Sequence, residues 1–485
     1  MTAALADTLA RRTGLHVYPA SALEAGPACF FLARVQGRKQ LGILGEAAGF
    51  PGTSAGEVRL FPTTIENAAR LREHLPWLKP QPLGLKRAAG SGDRLGLATP
   101  GHARAFRRAR GIAPVFAQQS IRENARTGRS PAEVINDATW GVFQEGWREP
   151  WGADADHLKT PEDLDSCIAA GYTFYTLDPG DHVDAGAVAA SGTELKVRWE
   201  ALPWAELDTE PSAQLARYTG RAFALDGGGA LSFTEEDLRR AAVKYGRALA
   251  HVTRMYRHLA SRVSSFDLEV SVDETEAPTL PLEHFYIASE LKRLGVRWVS
   301  LAPRYPGRFE KGVDYLGDIR EFETDLAMQA AVARTLGPYK LGIHSGSDKF
   351  TLYPVFARLA GDLVHLKTAG TSYLEGLRAI AAAEPELYRT IYRLAFDRYA
   401  EDRKSYHVSA DPARAPRPKE LADGDLPGVL DQFDAREMLH VTFGSALAAH
   451  GPQIKASLER HEEAYYEALV RHFDRHLQPF SAADR

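Results

Sequence analysis

YKLGIHSGSDKFTLYPVFARLAGDLVHLKT, residues 339–368, decides the fold. A short apolar run, YKLGIHS (339–345), ends in polar residues and a helical segment follows; a second short run, DLVHLKT (362–368), ends the same way. Short apolar runs that alternate with helical segments are the pattern of buried parallel strands joined by helices. Outward from this stretch the same grammar recurs in RLGLAT (94–99), APVFAQ (113–118), GADADHL (152–158), YTFYTLD (172–178), SFDLEVS (265–271) and VRWVSLA (296–302). Eight such repeats predict an α/β fold, a closed (β/α)₈ TIM-type barrel. An open doubly wound sheet is the rival, and alternation alone does not exclude it.

The flanks read differently. Residues 1–88 are expected to form a small α/β domain, with a hairpin in CFFLARV-QGRK-QLGILG (29–45), a helix near TIENAARLREHL and a Pro-rich exit, LPWLKPQPLG. The barrel is expected over 89–375. A helical insertion around 185–262 includes a long helix whose start carries a Thr-x-x-Asp cap at Thr234. Residues 376–485 are expected to form a helical C-terminal extension, broken by DPARAPRPKELADGDLPG and closed by IKASLERHEEAYYEALVRHFDRHL as one helix.

Composition narrows the function. The 485 residues carry 59 Lys and Arg against 63 Asp and Glu, with no separate basic block, so nucleic acid is not an expected partner. No stretch reaches the roughly 18 uninterrupted apolar residues of a membrane span, and MTAALADTLARRTGLHVY lacks the apolar middle of a signal peptide. A cytoplasmic protein without membrane contact is expected. The two cysteines, Cys29 and Cys167, read as buried packing residues. Dinucleotide fingerprint, P-loop, H-E-x-x-H and C-x-x-C are all absent from the sequence, which points away from nucleotide and thiol chemistry.

Barrel enzymes carry their chemistry at the C-terminal ends of the strands. His157, His344 and His365 fall there on the third, seventh and eighth runs, and neutral imidazoles converging with carboxylates suit a divalent cation such as Zn²⁺, Mn²⁺, Co²⁺ or Ni²⁺. Each alone also fits a hydrogen-bonded rim histidine. Glu269, inside FDLEVSV, is a carboxylate that burial makes costly unless a cation pairs with it or a site uses it. Asp154 and Asp156 alternate and share a face, so His157 should point the other way unless the strand has already broken. Lys159, Lys349, Lys367 and Arg122 either bind an anionic substrate or are solvated loop cations. His102 opens a basic helix and reads as a capping or surface residue.

The segments VFAQQSIRENARTGRSP, ATWGVFQEGW, GADADHLKTPEDLD, AAGYTFYTLDPGDHVD, HLKTAGTSYLEGLR and LHVTFGSAL resemble the tagaturonate epimerase family over nearly the whole chain. The resemblance implies interconversion of D-tagaturonate and D-fructuronate with a divalent metal, and side activity on the ketohexoses fructose and tagatose. In that reaction the inverted carbon lies β to the ketone, where its C–H bond is not acidified. Retro-aldol cleavage and re-formation of the adjacent carbon–carbon bond solves this, with a metal stabilising the enediolate. On this reading His157, His344 and His365 are metal ligands and Asp156 and Glu269 the acid/base pair. Gln118, Arg122, Lys159, Asp178 and Lys367 bind the small-molecule substrate, a ketohexuronate or ketohexose. Two alternatives stay open, a metal-independent glycoside hydrolase on the same barrel and a non-catalytic sugar-acid binding protein, as do metal identity and oligomeric state.

Overall fold

Eight parallel strands pair in sequence order and close on themselves: β1 (Ala88–Gly90), β2 (Ala113–Ser120), β3 (Gly152–Leu158), β4 (Phe174–Leu177), β5 (Asp267–Ser271), β6 (Ser300–Ala302), β7 (Lys340–Ile343) and β8 (Val364–Lys367). They belong to a computed structural model that describes residues 2–52 and 57–481. Closure comes from β8 against β1, with His365 opposite Ala88 and Lys367 opposite Gly90. A closed parallel barrel removes the open-sheet alternative.

Seven of the eight expected runs contain a barrel strand, and the first does not. RLGLAT alternates Leu95 and Leu97 like a strand, but the Asp93 carboxylate accepts from the backbone N–H groups of Leu95, Gly96 and Ala98 and winds the chain into a turn. Gly96 sits there at φ +77°. The true strand, Ala88–Gly90, is three small residues with no apolar period to read. Small size is what the seam needs, since a Cβ on Gly90 would lie 2.8 Å from the Gln118 side chain.

Helices α1 (Thr99–Arg108), α2 (Pro131–Gln144), α3 (Pro161–Ala170), α4 (Glu235–Arg262), α5 (Pro281–Arg293), α6 (Ile319–Leu336), α7 (Tyr353–Ala360) and α8 (Thr371–Ala383) follow the strands in turn. Capping boxes start several: Ser130 with Glu133, Thr160 with Asp163, and Thr234 with Asp237. The long α4 packs on α3 and α5, where a barrel's fourth helix belongs. Two short helices, Gly192–Glu200 and Pro211–Tyr218, and a small hairpin lie between β4 and α4. His102 is not a surface or capping residue: it is buried inside α1, its ring against Phe473 and its Nε2 2.7 Å from Ser372 Oγ. Burial pushes its pKa down to about 4.

An antiparallel five-stranded sheet precedes the barrel. Its central hairpin pairs Ala28–Val35 with Arg38–Gly45 around Gln36 and Gly37, both at positive φ, the two-residue turn whose twist matches the strands. Beyond α8, helices α9 (Pro385–Asp402), α10 (Phe433–Val441), α11 (Phe443–Arg460) and α12 (Glu462–Leu477) wrap the barrel, and α12 packs on α1 and α8. The expected single terminal helix breaks at His461 into α11 and α12. Both cysteines are buried and unbridged. Among the described residues no helix is long and apolar enough to cross a membrane.

Candidate active site

Strand alternation turns Asp154 and Asp156 of β3 to the barrel axis, and Glu269 of β5 and Lys367 of β8 join them. Lys367 Nζ lies 3.0 Å from Asp154 Oδ2, 2.7 Å from Asp156 Oδ1 and 2.8 Å from Glu269 Oε1, and donates to Thr176 Oγ1 at 2.6 Å. Burial alone would discharge this ammonium; the three carboxylates outweigh it and hold the lysine charged. Burial likewise pushes Glu269 up, but Lys367 and His344 hold it well below the usual carboxylate range. The cation that FDLEVSV demanded for Glu269 is therefore Lys367. Glu269 Oε2 also accepts from Ser300 Oγ, and Thr176 Oγ1 lies 3.2 Å from its Oε1.

Above this layer His157 and His344 meet. His157 has φ +56° and the β3–β4 register shifts between Ala155 and Leu158. This irregularity breaks the alternation and turns His157 to the side that Asp156 already faces. Left-handed backbone at a histidine costs on the order of 1 kcal/mol and marks functional positions. His157 Nε2 stands 3.3 Å from His344 Nδ1, with the rings nearly perpendicular. Each imidazole leans on a carboxylate through its other nitrogen, His157 Nδ1 on Asp178 at 3.1 Å and His344 Nε2 on Glu269 at 2.6 Å. Asp273 Oδ1 lies 3.3 Å from His344 Nδ1 and Asp156 Oδ1 3.8 Å from His157 Nε2.

The surrounding carboxylates favour positive charge. Against burial, Asp156 and Asp178 raise His157 to about 9; against burial and Lys367, Asp273 and Glu269 raise His344 to about 10. Two protonated rings would aim N–H groups at each other across 3.3 Å. A shared cation satisfies both nitrogens and the same carboxylates without that conflict. Asp156, His157 and His344 offer ligand atoms all within 4.8 Å of one another. Mixed nitrogen and oxygen donors, each histidine backed by a carboxylate, fit a divalent transition metal.

The structure brings His157 and His344 together and leaves His365 apart. His365 lies one layer deeper, stacked on Phe174 at 4.7 Å between centroids, with Nε2 3.4 Å from Asp154 Oδ2. Burial keeps its pKa low. Of the other expected residues, Gln118 donates to Asp156 Oδ2 at 3.2 Å, and Asp178 sits behind His157. Lys159 pairs with Asp181 at 2.9 Å and Arg122 with Glu274 at 2.5 Å. Lys349 is in a loop but not solvated: it is fully buried, its Nζ donating to the carbonyls of Glu310, Val313 and Ser347. Sequence reading missed Thr176 and Ser300; a hydroxyl inside an apolar strand run is the signal that could have found them.

A pocket opens over this cluster, lined by Asp156, His157, His344 and Lys367. On its other side stand Arg126, Lys311 and Tyr406. Glu269, fully buried, is not among its lining residues.

Comparison with known proteins gives one consistent result. Residues 18–480 match the tagaturonate epimerase (UxaE) family. The chain is 44% identical over 473 residues to the tagaturonate/fructuronate epimerase of Thermotoga maritima, covering 96% of each. It superposes with a TM-score of 0.92 on crystal structures of the fructuronate-tagaturonate epimerase of Cohnella laeviribosi, both native and glycerol-bound. Identity there is 37% and 36%, over 98% of this chain and 99% of that one.

Proposed function

Because the chain belongs to the tagaturonate epimerase family, we propose that it interconverts D-tagaturonate and D-fructuronate by metal-dependent retro-aldol and aldol chemistry. The observation that carries the metal and the mechanism is the pair of facing imidazoles over the cavity, each backed by a carboxylate. His157 and His344 would hold the cation, drawn from Zn²⁺, Mn²⁺, Co²⁺ and Ni²⁺, with Asp156 beside it. When bound, it supplies a fixed positive charge for the negative charge that develops on the ketone side.

The chain's own groups do the rest. Asp156, ionised because His157, Lys367 and His344 outweigh its burial, faces the cavity and accepts the proton of the β-hydroxyl. The carbon–carbon bond breaks, the aldehyde fragment turns its other face, and the bond re-forms with the stereocentre inverted. Lys367, held protonated, donates to oxygen as charge builds. Glu269 reaches substrate only through Lys367 and His344, so it positions those two.

Chelator-treated protein should lose turnover of tagaturonate, followed by chromatography of fructuronate, and regain it with one of the four metals. Substrate deuterated at the inverted carbon should react without a primary isotope effect on a chemistry-limited step, because the bond broken there is to carbon. Full turnover in metal-free protein would sink the metal; a sizeable isotope effect would sink the cleavage.

A further inference from the structure

Five Lys and Arg side chains line the cavity, and their partners differ. Arg94 is bound to Glu123 at 2.7 Å and lies over the Phe443 ring; Arg122 is bound to Glu274; Lys367 sits among three carboxylates. Lys311 and Arg126 have no carboxylate within salt-bridge distance among the described residues. Lys311 Nζ makes one hydrogen bond, to Ser345 Oγ at 2.6 Å, leaving two of its three N–H donors. Arg126 donates to two neutral hydroxyls, Tyr406 Oη and Ser405 Oγ, with its guanidinium 4.5 Å from the Tyr406 ring centre.

We propose that Lys311 and Arg126 form the subsite that takes the substrate's carboxylate, and so set the preference for a ketohexuronate over a neutral ketohexose. This rests on the epimerase reading above. A partly buried cation whose hydrogen bonds go only to neutral groups is left short of an anion, and a carboxylate supplies it through charge-assisted bonds. Burial, then the nearby Arg122 and Arg94, pulls the Arg126 pKa down, as expected of a guanidinium beside other cations without its counter-ion. The subsite is also built to stay put. The three carbonyls that hold the Lys349 ammonium flank Lys311 at Glu310 and Val313 and belong to the β7 loop at Ser347, so Lys349 ties the Lys311 segment to the loop that carries His344. Arg126 is held in turn by the C-terminal extension, which thereby forms one wall of the site. Of the four cations singled out from sequence for an anionic substrate, Lys349 is spent on three carbonyls and the others are already paired: Arg122 with Glu274, Lys159 with Asp181, and Lys367 with its three carboxylates.

Lys311→Met and Arg126→Gln, made separately in the metal-loaded full chain, test this. The ratio of kcat/KM for D-tagaturonate to that for D-tagatose should fall at least tenfold in each, carried by KM, and Lys311→Arg should recover most of it. Equal losses on both substrates, or no loss on either, would overturn the subsite. Calorimetric titration with D-gluconate separates this from the reaction itself. Wild-type protein should bind gluconate and Lys311→Met should not, whether or not tagaturonate is turned over. Undiminished gluconate binding by the variant, or none by the wild type, also overturns it.

Discussion

Two buried clusters of this molecule contain the same residue types, yet they do opposite things. Asp156, His157 and His344 stand over the barrel mouth; Asp348, a few residues after His344 on the β7 loop, meets His472 and His476 of α12. In the second cluster every group is already engaged. The Asp348 carboxylate takes His472 Nε2 at 2.6 Å, the Arg436 guanidinium at 3.2 Å and Thr371 Oγ1 at 3.1 Å. His476 Nε2 accepts the Asp348 N–H at 3.0 Å, and Glu375 stands 3.3 Å from His472 Nδ1. Arg436 Nη2 also lies 3.4 Å from His472 Nε2, and the cluster fastens the C-terminal extension to the loop of His344. At the mouth, by contrast, two imidazole nitrogens face each other beside a pocket, with no arginine between them and the carboxylates. What surrounds the histidines and aspartate, rather than their presence, distinguishes a site from a fastening.

The largest effect should come from His344→Ala. It removes a ligand and should abolish bound metal and cut turnover by about 10³-fold or more, the equivalent of several kcal/mol of charge stabilisation. Metal content by elemental analysis decides it, and normal stoichiometry would erase the distinction between the clusters. Asp348→Ala should do the reverse. Leaving Arg436 buried without its main partner costs about 3 kcal/mol in a chemical denaturation curve, while metal content per folded chain stays at the wild-type value. Metal loss there would mean that the second cluster binds the ion.

Much of this was legible in order of locality. The strand runs could be read because a parallel strand buried on both faces is apolar until it reaches the polar rim; β1 could not, since Ala-Ala-Gly has no pattern. His344 and Lys367 could be placed at strand ends, and Glu269 could be seen to need a partner, but which cation paired with it depends on strands far apart in sequence. The inward turn of His157 is a matter of one backbone angle, +56°, which contradicts the alternation that the sequence displays. Lys311 and Arg126 carry no local signal at all. Arg126 meets its neutral partners only once Tyr406 and Ser405 of the extension are folded against the barrel, and Lys311 only once Ser345 of the β7 loop lies beside it.

The smallest expected effect concerns His365, and it fixes how deep the metal site extends. Its position at a strand end matches that of His157 and His344 in sequence, so a three-histidine set is the natural reading of the pattern. In the fold its ring stacks on Phe174, its Nε2 is 3.4 Å from Asp154, and its Nδ1 is buried without a hydrogen-bond partner among the described residues. Lys367, two residues on, lies nearer the cavity and carries the charge that the carboxylates require. His365→Gln keeps a polar group near Asp154 and loses the stacked ring, a contribution of about 1 kcal/mol for an aromatic pair. Metal content should therefore stay unchanged and turnover should remain within about tenfold of wild type, the allowance for a 1.4 kcal/mol disturbance of the layer beneath. If the variant instead loses its metal while remaining folded, the site reaches one strand layer deeper than the facing imidazoles, and Asp154 joins Asp156 as part of it.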